Sequence, residues 1–343
     1  MKPNEHFKDG LPDRDYCYIQ SGADLLRLTE SLKDVRRAGL DTEADSLHHY
    51  FEKVCLVQLS FSGHPYVINQ LDGLSVSDFF EEVSRKELIL QGSDYDLRML
   101  KKSFGFRPKA PVFDTMLAAQ VLGYEKISLA ALVEKFCGVS LSKAGQTSDW
   151  AKRPLPKRLL DYASDDTRYL KMIAEAQAGE LRKLGRETWH RECCERVVEI
   201  SGLPAKGEDK EAWRIKGSSK LTLRELAFVR ELWKWRDDAA RKKDRPPFMI
   251  LMNEDLIALA CWCAGHSGEP LQRGPAFMKR FTGENLERLE KAVRFAENLP
   301  SGDWPSVLKK FRPPEDPLLQ KKAEALMGAD RKSTRLNSSH EWI

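Results

Sequence analysis

The sequence predicts an α/β domain, with a mixed sheet flanked by helices, followed by an all-α helical domain. In the first half of the chain, short strand patterns alternate with helical patterns, which is typical of α/β proteins. A charged segment containing Pro204, Gly207 and Gly217-Ser218-Ser219 then predicts a linker. From Leu221 onwards the patterns are helical. Together these observations predict two folding units.

The composition is that of a globular protein. With 343 residues, 41% hydrophobic and 31% charged, the chain can bury a sizeable core and is neither disordered nor fibrous. It contains no stretch of roughly 20 apolar residues that would span a membrane, and no apolar core of a secretory signal, so we expect a cytoplasmic protein. Its seven cysteines include no Cys-x-x-Cys pair, which argues against a disulfide framework or a zinc ribbon. The 56 Lys and Arg against 52 Asp and Glu permit nucleic-acid binding without requiring it.

The first elements are a short strand, a helix and then three strands. Residues 16–19 have a strand pattern, and Ser21 with Asp24 resembles a capping box that begins a helix extending to Leu32. Ser62-Gly63 is a hairpin signal between two β patterns. We therefore expect an antiparallel meander with strands over residues 38–44, 54–61 and 64–68.

Strands and helices alternate after the meander, and the chain then becomes helical. In the second half, one helix begins near Leu221 and ends in a basic segment before Pro246. Trp233 and Trp235 cannot both face one side of this helix, so we expect one in the core and the other partly exposed. The remaining predicted elements are helix 76–84, strand 88–90, helix 95–104, strand 112–113, helices 117–122 and 129–136, a long helical stretch 156–184, and helices 254–263 and 283–297.

The candidate chemistry begins with Asp41-Thr42-Glu43, inside the predicted strand 38–44. Side chains alternate along a strand, so Asp41 and Glu43 point to the same face. Two carboxylates held this close repel each other, which favours a cation between them. The spacing alone is a weak signal, because Asp209-Lys210-Glu211 has it without a strand pattern.

Two later segments supply partners for this acidic strand. Asp96 follows the predicted strand 88–90, at the beginning of the next helix. Tyr162 and Asp166 are four residues apart and therefore share one face of a helix. A site of four carboxylates and a tyrosine offers oxygen ligands alone, which favour Mg2+ or Mn2+ over zinc.

At these residues the chain closely resembles the tyrosine-containing DEDD superfamily of 3′-to-5′ exonucleases, and specifically the ribonuclease D family. The resemblance covers about residues 15–190. Residues 221–300 resemble the helicase-and-RNase-D C-terminal (HRDC) domain. The matching segments are Phe113-Asp114-Thr115, Ser128-Leu129-Ala130-Ala131-Leu132, Gln146-Thr147-Ser148-Asp149-Trp150, Arg153-Pro154-Leu155, Trp233-Lys234-Trp235-Arg236 and Arg245-Pro246-Pro247-Phe248.

The resemblance implies an RNase H-like exonuclease domain over residues 15–190, a connecting helix and linker over 191–220, and an HRDC domain over 221–300. It implies two divalent ions, Mg2+ or Mn2+, one activating the attacking water and the other stabilising the leaving 3′-oxygen. The expected reaction removes 5′-mononucleotides from RNA 3′ ends, with tRNA precursors as substrates. We expect a monomer without an obligate protein partner or membrane association.

The resemblance also implies a role for each site residue. Asp41, Glu43 and Asp166 would hold the metal that activates water. Asp41 would also hold the second metal, which Asp96 would support, and Tyr162 would orient the water. Many family members have His near the position of Gln91; this departure lies outside the carboxylate set and leaves the implied chemistry unchanged, and its consequence for the support of Asp96 is left open by the sequence.

Several residues have a structural interpretation beside the functional one. Asp114 is expected to cap a helix, and the pair His48-His49 and His64 are expected to be polar residues rather than ligands. Gln146, Ser148 and Trp150 belong either to a loop with a buried Trp or to a substrate contact. The basic residues Arg241, Lys242, Lys243 and Arg245 either contact phosphates or form a solvated helix end.

Two other functions remain possible from the sequence. The same carboxylates would serve a DNA exonuclease, because selectivity depends on contacts to the 2′-hydroxyl that sequence does not reveal. A non-catalytic RNA-binding module is the other alternative, and the complete set of carboxylates with Tyr162 argues against it. A matched digestion of RNA and DNA separates the two exonucleases.

The two ends of the chain stand apart from these domains. Residues 1–14 are expected to be an N-terminal leader, and residues 301–329 a partial helical region with a helix near 318–327. Residues 330–343 resemble the translation of a sequencing adapter. The natural protein is therefore expected to diverge from this sequence near Ala329 and to continue beyond it.

Overall fold

The computed structural model describes residues 15–142, 145–203, 211–306, 318, 320–325 and 327–328. Three segments named above lie outside the described residues: the expected leader 1–14, the first two residues of Asp209-Lys210-Glu211, and the expected adapter translation 330–343. The described residues between 318 and 328 are helical, as the sequence predicts.

The first domain contains six strands and eight helices among the described residues. The strands are β1 (Cys17–Ile19), β2 (Arg37–Ala44), β3 (Val54–Phe61), β4 (His64–Asn69), β5 (Glu87–Leu90) and β6 (Val112–Asp114). The helices are α1 (Gly22–Leu32), α2 (Ser77–Ser84), α3 (Asp94–Phe104), α4 (Thr115–Leu122), α5 (Leu129–Cys137), α6 (Lys157–Arg168), α7 (Leu170–Lys183) and α8 (Glu187–Ser201).

The strands form one mixed sheet in the order β1-β4-β3-β2-β5-β6. Its centre is the expected antiparallel meander of β2, β3 and β4, while β1, β5 and β6 pair in parallel. Ser62 and Gly63 between β3 and β4 both have positive φ, 51° and 82°, as a tight type I′ hairpin turn requires. Asp41 lies directly opposite Gln58 in the β2–β3 register.

Helices cover both faces of the sheet. Leu40 and Leu59 point to one face, where they share a core with Leu25 and Leu32 of α1. The alternate residues Gly39, Asp41 and Glu43 point to the other face, which packs against α6 and α7. The acidic side chains of β2 therefore face the helix that carries Tyr162 and Asp166.

The prediction of one long helical stretch over 156–184 is wrong in one respect. Two helices, α6 and α7, are separated at Tyr169, which has φ −100° and ψ −6°. Leu159 of α6 packs against β3 and β4 residues, whereas buried Tyr169 and Ile173 pack against α4 and α5. The two halves therefore contribute to different parts of the core.

The second domain is helical and has its own core. A capping box of Thr222 and Glu225 begins its first helix, and buried Trp235 and partly buried Trp233 confirm the expected division of the two tryptophans. Its helices are α9 (Leu223–Lys243), α10 (Pro247–Ile250), α11 (Asn253–Gly265) and α12 (Gly283–Glu297). In the part of the chain that the structure describes, every helix is too short or too polar to cross a membrane.

Candidate active site

Three acidic side chains converge between β2 and α6. Asp41, Glu43 and Asp166 each offer a carboxylate oxygen, and the three oxygens lie within 4.8 Å of one another. Strand alternation aims the first two at α6, and the helix places Asp166 above them. A set of oxygen donors at this spacing suits a hard divalent cation.

A fourth carboxylate joins them from α3. Asp96 is buried, and its Oδ1 accepts hydrogen bonds from the Thr42 backbone N–H at 3.1 Å and the Thr42 hydroxyl at 2.6 Å. Thr42 lies between Asp41 and Glu43 but points to the opposite face of the strand. Thr42 therefore connects the first turn of α3 to the acidic strand through these two hydrogen bonds. The sequence alone did not predict this contact.

All five residues of the expected site line one cavity of about 410 Å3. Segment 145–150 closes one side, where buried Trp150 lies 6.0 Å from the Tyr162 ring, centroid to centroid. The structure confirms a buried Trp in this segment and places it beside the cavity, while its contact with substrate stays a prediction. The lining residues named by the sequence analysis are Asp41, Glu43, Asp96, Tyr162, Asp166, Gln91, Gln146, Ser148 and Trp150.

The carboxylates form a region of concentrated negative charge. Burial, followed by repulsion from Asp96, Asp166 and Glu43, raises the pKa of Asp41 well above its usual range. Burial, then Asp165 and Asp96, raises the pKa of Asp166 to about 8. The pKa of Asp96 rises to about 6 through burial, although the Thr42 hydrogen bonds oppose this. The charged neighbours that raise these pKa values are all acidic, so bound cations would relieve the repulsion.

The Tyr162 hydroxyl keeps its proton at neutral pH. Burial and the negative charges of Asp166, Glu43 and Asp41 all raise the pKa of this phenol. A protonated phenol can donate a hydrogen bond into the cavity. Gly145 lies against the ring, since a Cβ there would collide with it, so the absence of a side chain at position 145 allows this loop to approach.

Asp114 organises the chain beside Asp96. It caps α4 by accepting from the Met116 and Leu117 N–H groups, which confirms the expected structural role. Its carboxylate also accepts from the backbone of Gly92 and Ser93, immediately before α3. Asp114 therefore fixes the beginning of the helix that carries Asp96.

The other expected residues lie around the cavity or away from it. Gln91 donates to the Ile127 carbonyl at 2.8 Å and accepts from Thr115. His48 contacts the Thr147 carbonyl and His49 contacts Asp244, while His64 is exposed. The basic residues Arg241, Lys242, Lys243 and Arg245 are exposed at the end of α9, outside the cavity lining.

Comparison with known proteins identifies the family. Residues 16–181 match the 3′-5′ exonuclease family, and residues 225–262 match the HRDC domain. Ribonuclease D from Sphingobium indicum is 33% identical over 226 residues, which are 64% of this chain and 58% of that protein. Residues 16–181 therefore form a 3′-5′ exonuclease domain, and the chain as a whole is ribonuclease D-like. The ribonuclease D of Acidiphilium cryptum is 28% identical over the whole chain and 88% of its own length.

Further similarities extend to longer proteins and to a solved structure. Exosome complex component 10 homolog of Caenorhabditis elegans is 28% identical over 82% of this chain and 33% of its own length. The chain spans about a third of the length of such relatives. Escherichia coli RNase D, described as an exoribonuclease involved in structured RNA processing, superimposes with a TM-score of 0.67 at 24% identity, covering 95% of this chain and 88% of that one. The expected fold is confirmed.

Proposed function

We propose that this protein is a metal-dependent 3′-to-5′ exoribonuclease that trims the 3′ ends of structured RNA, including tRNA precursors, and releases 5′-mononucleotides. The observation that carries the proposal is the convergence of four carboxylates and a protonated tyrosine in one cavity of a DEDD exonuclease fold. We further propose a cytoplasmic monomer that needs no obligate protein partner.

The donor set fits a pair of hard divalent cations, Mg2+ or Mn2+. Asp41, Glu43 and Asp166 would hold one ion, and Asp41 with Asp96 would hold the other. Such ions activate water and stabilise the charge that develops on the phosphate and on the leaving oxygen. Two features of the donor set support this assignment: all of its donor atoms are oxygens, and its negative charges are not compensated by nearby cationic side chains among the described residues.

Tyr162 would orient the attacking water. Its phenol is protonated at neutral pH and lies among the carboxylates, so its hydroxyl can hold the water in line with the scissile phosphate. Gln146, Ser148 and Trp150 would contact the terminal nucleotide, because they line the same cavity. The exposed Arg241, Lys242, Lys243 and Arg245 would contact the RNA backbone at a greater distance.

Asp41→Asn tests the proposal. Asn retains the size of the side chain but removes the charge, so we expect nearly complete loss of metal-dependent mononucleotide release, with RNA binding retained. Digestion is followed on one tRNA precursor labelled at either its 5′ or its 3′ end, with Mg2+ or with EDTA. Asp161→Asn, on the outer surface of α6 and paired with Lys157, is the matched control and should retain wild-type activity.

The outcomes separate the candidate functions. Faster digestion of a matched DNA oligonucleotide than of RNA would favour a DNA exonuclease. A wild-type protein that binds RNA but releases no mononucleotides with either Mg2+ or Mn2+ would be an RNA-binding module, and the proposed activity would be wrong.

A further inference from the structure

Gln58 is a buried amide directly behind the acidic cluster. It lies near the middle of β3, opposite Asp41 in the strand register, and its side chain is fully buried. Neither Nε2 nor Oε1 has a hydrogen-bond partner among the described residues. An unpaired buried polar group costs on the order of 1–3 kcal/mol, so a sequence that retains one at this position requires an explanation.

Gln58 and Asp41 share one face of the sheet. Residues directly opposite each other on antiparallel strands point to the same side, with Cβ atoms roughly 5 Å apart. Ser60, two residues along β3, also points there and donates to the Thr167 carbonyl of α6 at 2.8 Å. The Gln58 amide is therefore enclosed between the acidic strand and α6.

A second unpaired polar group lies on the helix that covers this face. The Thr167 hydroxyl is fully buried and, within the described parts of the chain, has no hydrogen-bond partner. Thr167 directly follows Asp166 in α6. One unpaired group thus lies opposite Asp41, and another is adjacent in sequence to Asp166. A buried water needs two to four polar partners, and these two side chains supply both donors and acceptors.

We propose that Gln58 is a positioning residue for Asp41, acting through a buried water that it shares with the Thr167 hydroxyl. The water donates to the Asp41 carboxylate and holds it in the orientation that binds the cation. Partners behind a metal-binding carboxylate fix its rotamer, and their loss weakens metal affinity about 10- to 100-fold. The inference rests on the metal site proposed above.

The test compares Gln58→Leu, Thr167→Val and the double variant in the full chain. The rise in Tm is measured during titration with Mn2+, and the Tm is also measured in EDTA. Each single change should raise the Mn2+ midpoint about tenfold, because the carboxylate loses its support. In EDTA each single variant should have a lower Tm, because the change leaves the other partner of the shared water without one of its hydrogen bonds. If both residues hold one water, the Mn2+ midpoint of the double variant should be no higher than that of either single variant.

Gln177→Leu is the matched control. Gln177 is another fully buried glutamine with an unpaired Oε1, but its Nε2 donates to the Thr115 carbonyl at 2.9 Å. Its replacement should lower the Tm in EDTA and leave the Mn2+ midpoint unchanged within about twofold. At saturating Mn2+, kcat of Gln58→Leu should return to the wild-type value, since Gln58 acts only through metal binding.

Two results would overturn the inference. One is a wild-type Mn2+ midpoint in Gln58→Leu, or in Thr167→Val if the first variant does not fold. The other is a double variant in which the two losses of Mn2+ affinity add, which would exclude a shared water. If Asp41→Asn also retained the wild-type Mn2+ titration, the proposed metal site itself would be wrong, and that result is distinct from either of these.

Discussion

At the scale of single residues, a change at Tyr162 tests the proposed orientation of the water separately from the proposed metal binding. Tyr162→Phe removes the hydroxyl and leaves all four carboxylates in place. We expect the rate of mononucleotide release at saturating metal to fall by about 10², a typical contribution of one acid-base or orienting group. Single-turnover digestion of 5′-labelled RNA measures this fall, and the Mn2+ midpoint of Tm should not change.

Tyr124→Phe provides the comparison for Tyr162. Tyr124 is also a partly buried tyrosine beside a carboxylate, and its hydroxyl donates to Glu180 at 2.7 Å. Its loss should lower stability slightly and leave the rate unchanged. An equal loss of rate in both variants, or no loss in Tyr162→Phe, would contradict the proposed role.

Asp166 should make the metal-free protein less stable as the pH rises. Its folded-state pKa is about 8, whereas an unfolded Asp titrates near about 3.9. Between these values the unfolded chain has lost the proton that the folded chain still holds, so rising pH favours unfolding. In EDTA, Asp166→Asn should therefore be more stable than wild type at pH 8, and this difference should shrink towards pH 4.

Urea denaturation at several pH values between 4 and 8 measures this difference. Asp161→Asn removes a partly exposed carboxylate from the same helix, and it should change stability only slightly, because surface ion pairs contribute little. A stability difference for Asp166→Asn that is constant across this range would show that its charge is not the cause.

At the scale of elements, the junction of β6 and α4 positions α3. Asp114→Ala would leave the buried N–H of Ser93 and the cap of α4 without their acceptor. We expect a loss of about 2–4 kcal/mol in the free energy of unfolding, larger than for an exposed cap. Activity of the remaining folded protein should also fall, because α3 carries Asp96.

Ser128→Ala is the control for this element, since it removes the exposed N-cap of α5. It should cost about 0.5–1 kcal/mol in urea denaturation and leave activity unchanged. If Asp114→Ala were no more destabilising than Ser128→Ala, the capping network would not hold the beginning of α3.

At the scale of the whole molecule, the second domain contacts a loop that supplies part of the cavity wall. Asp244, at the end of α9, accepts from the backbone of Tyr50 and Phe51 at 3.1 Å and lies 2.8 Å from His49 Nδ1. The same loop between β2 and β3 contributes Ser46 and Leu47 to the cavity. The end of α9 therefore holds part of the site from outside the first domain.

Asp244→Gly tests this contact. Asp244 has φ 46°, which Gly adopts without strain. The effect of the change therefore comes from the lost side-chain hydrogen bonds and not from backbone strain. We expect kcat/KM to fall about tenfold and hydrogen exchange over residues 46–52 to accelerate. Asp255→Ala, which removes an acid bonded to Arg280 within the second domain, should change neither measurement.

The sequence by itself determined the order of the elements, the meander and the local geometry of the candidate site. Alternation along β2 and the four-residue spacing on α6 depend on backbone periodicity alone, so Asp41 with Glu43, and Tyr162 with Asp166, could be paired from sequence. The roles of these residues remain predictions. Fold and family were predictable because two domains matched in the right order.

Only the tertiary structure decided the contacts between distant segments. The Thr42–Asp96 hydrogen bonds join residues 54 positions apart, and the Tyr50–Asp244 bond joins residues 194 positions apart. The place of Gln58 opposite Asp41 depends on strand register, and the break at Tyr169 depends on which part of the core each half of the helical stretch joins. Local periodicity gives the direction of a side chain, but long-range packing decides which group it meets.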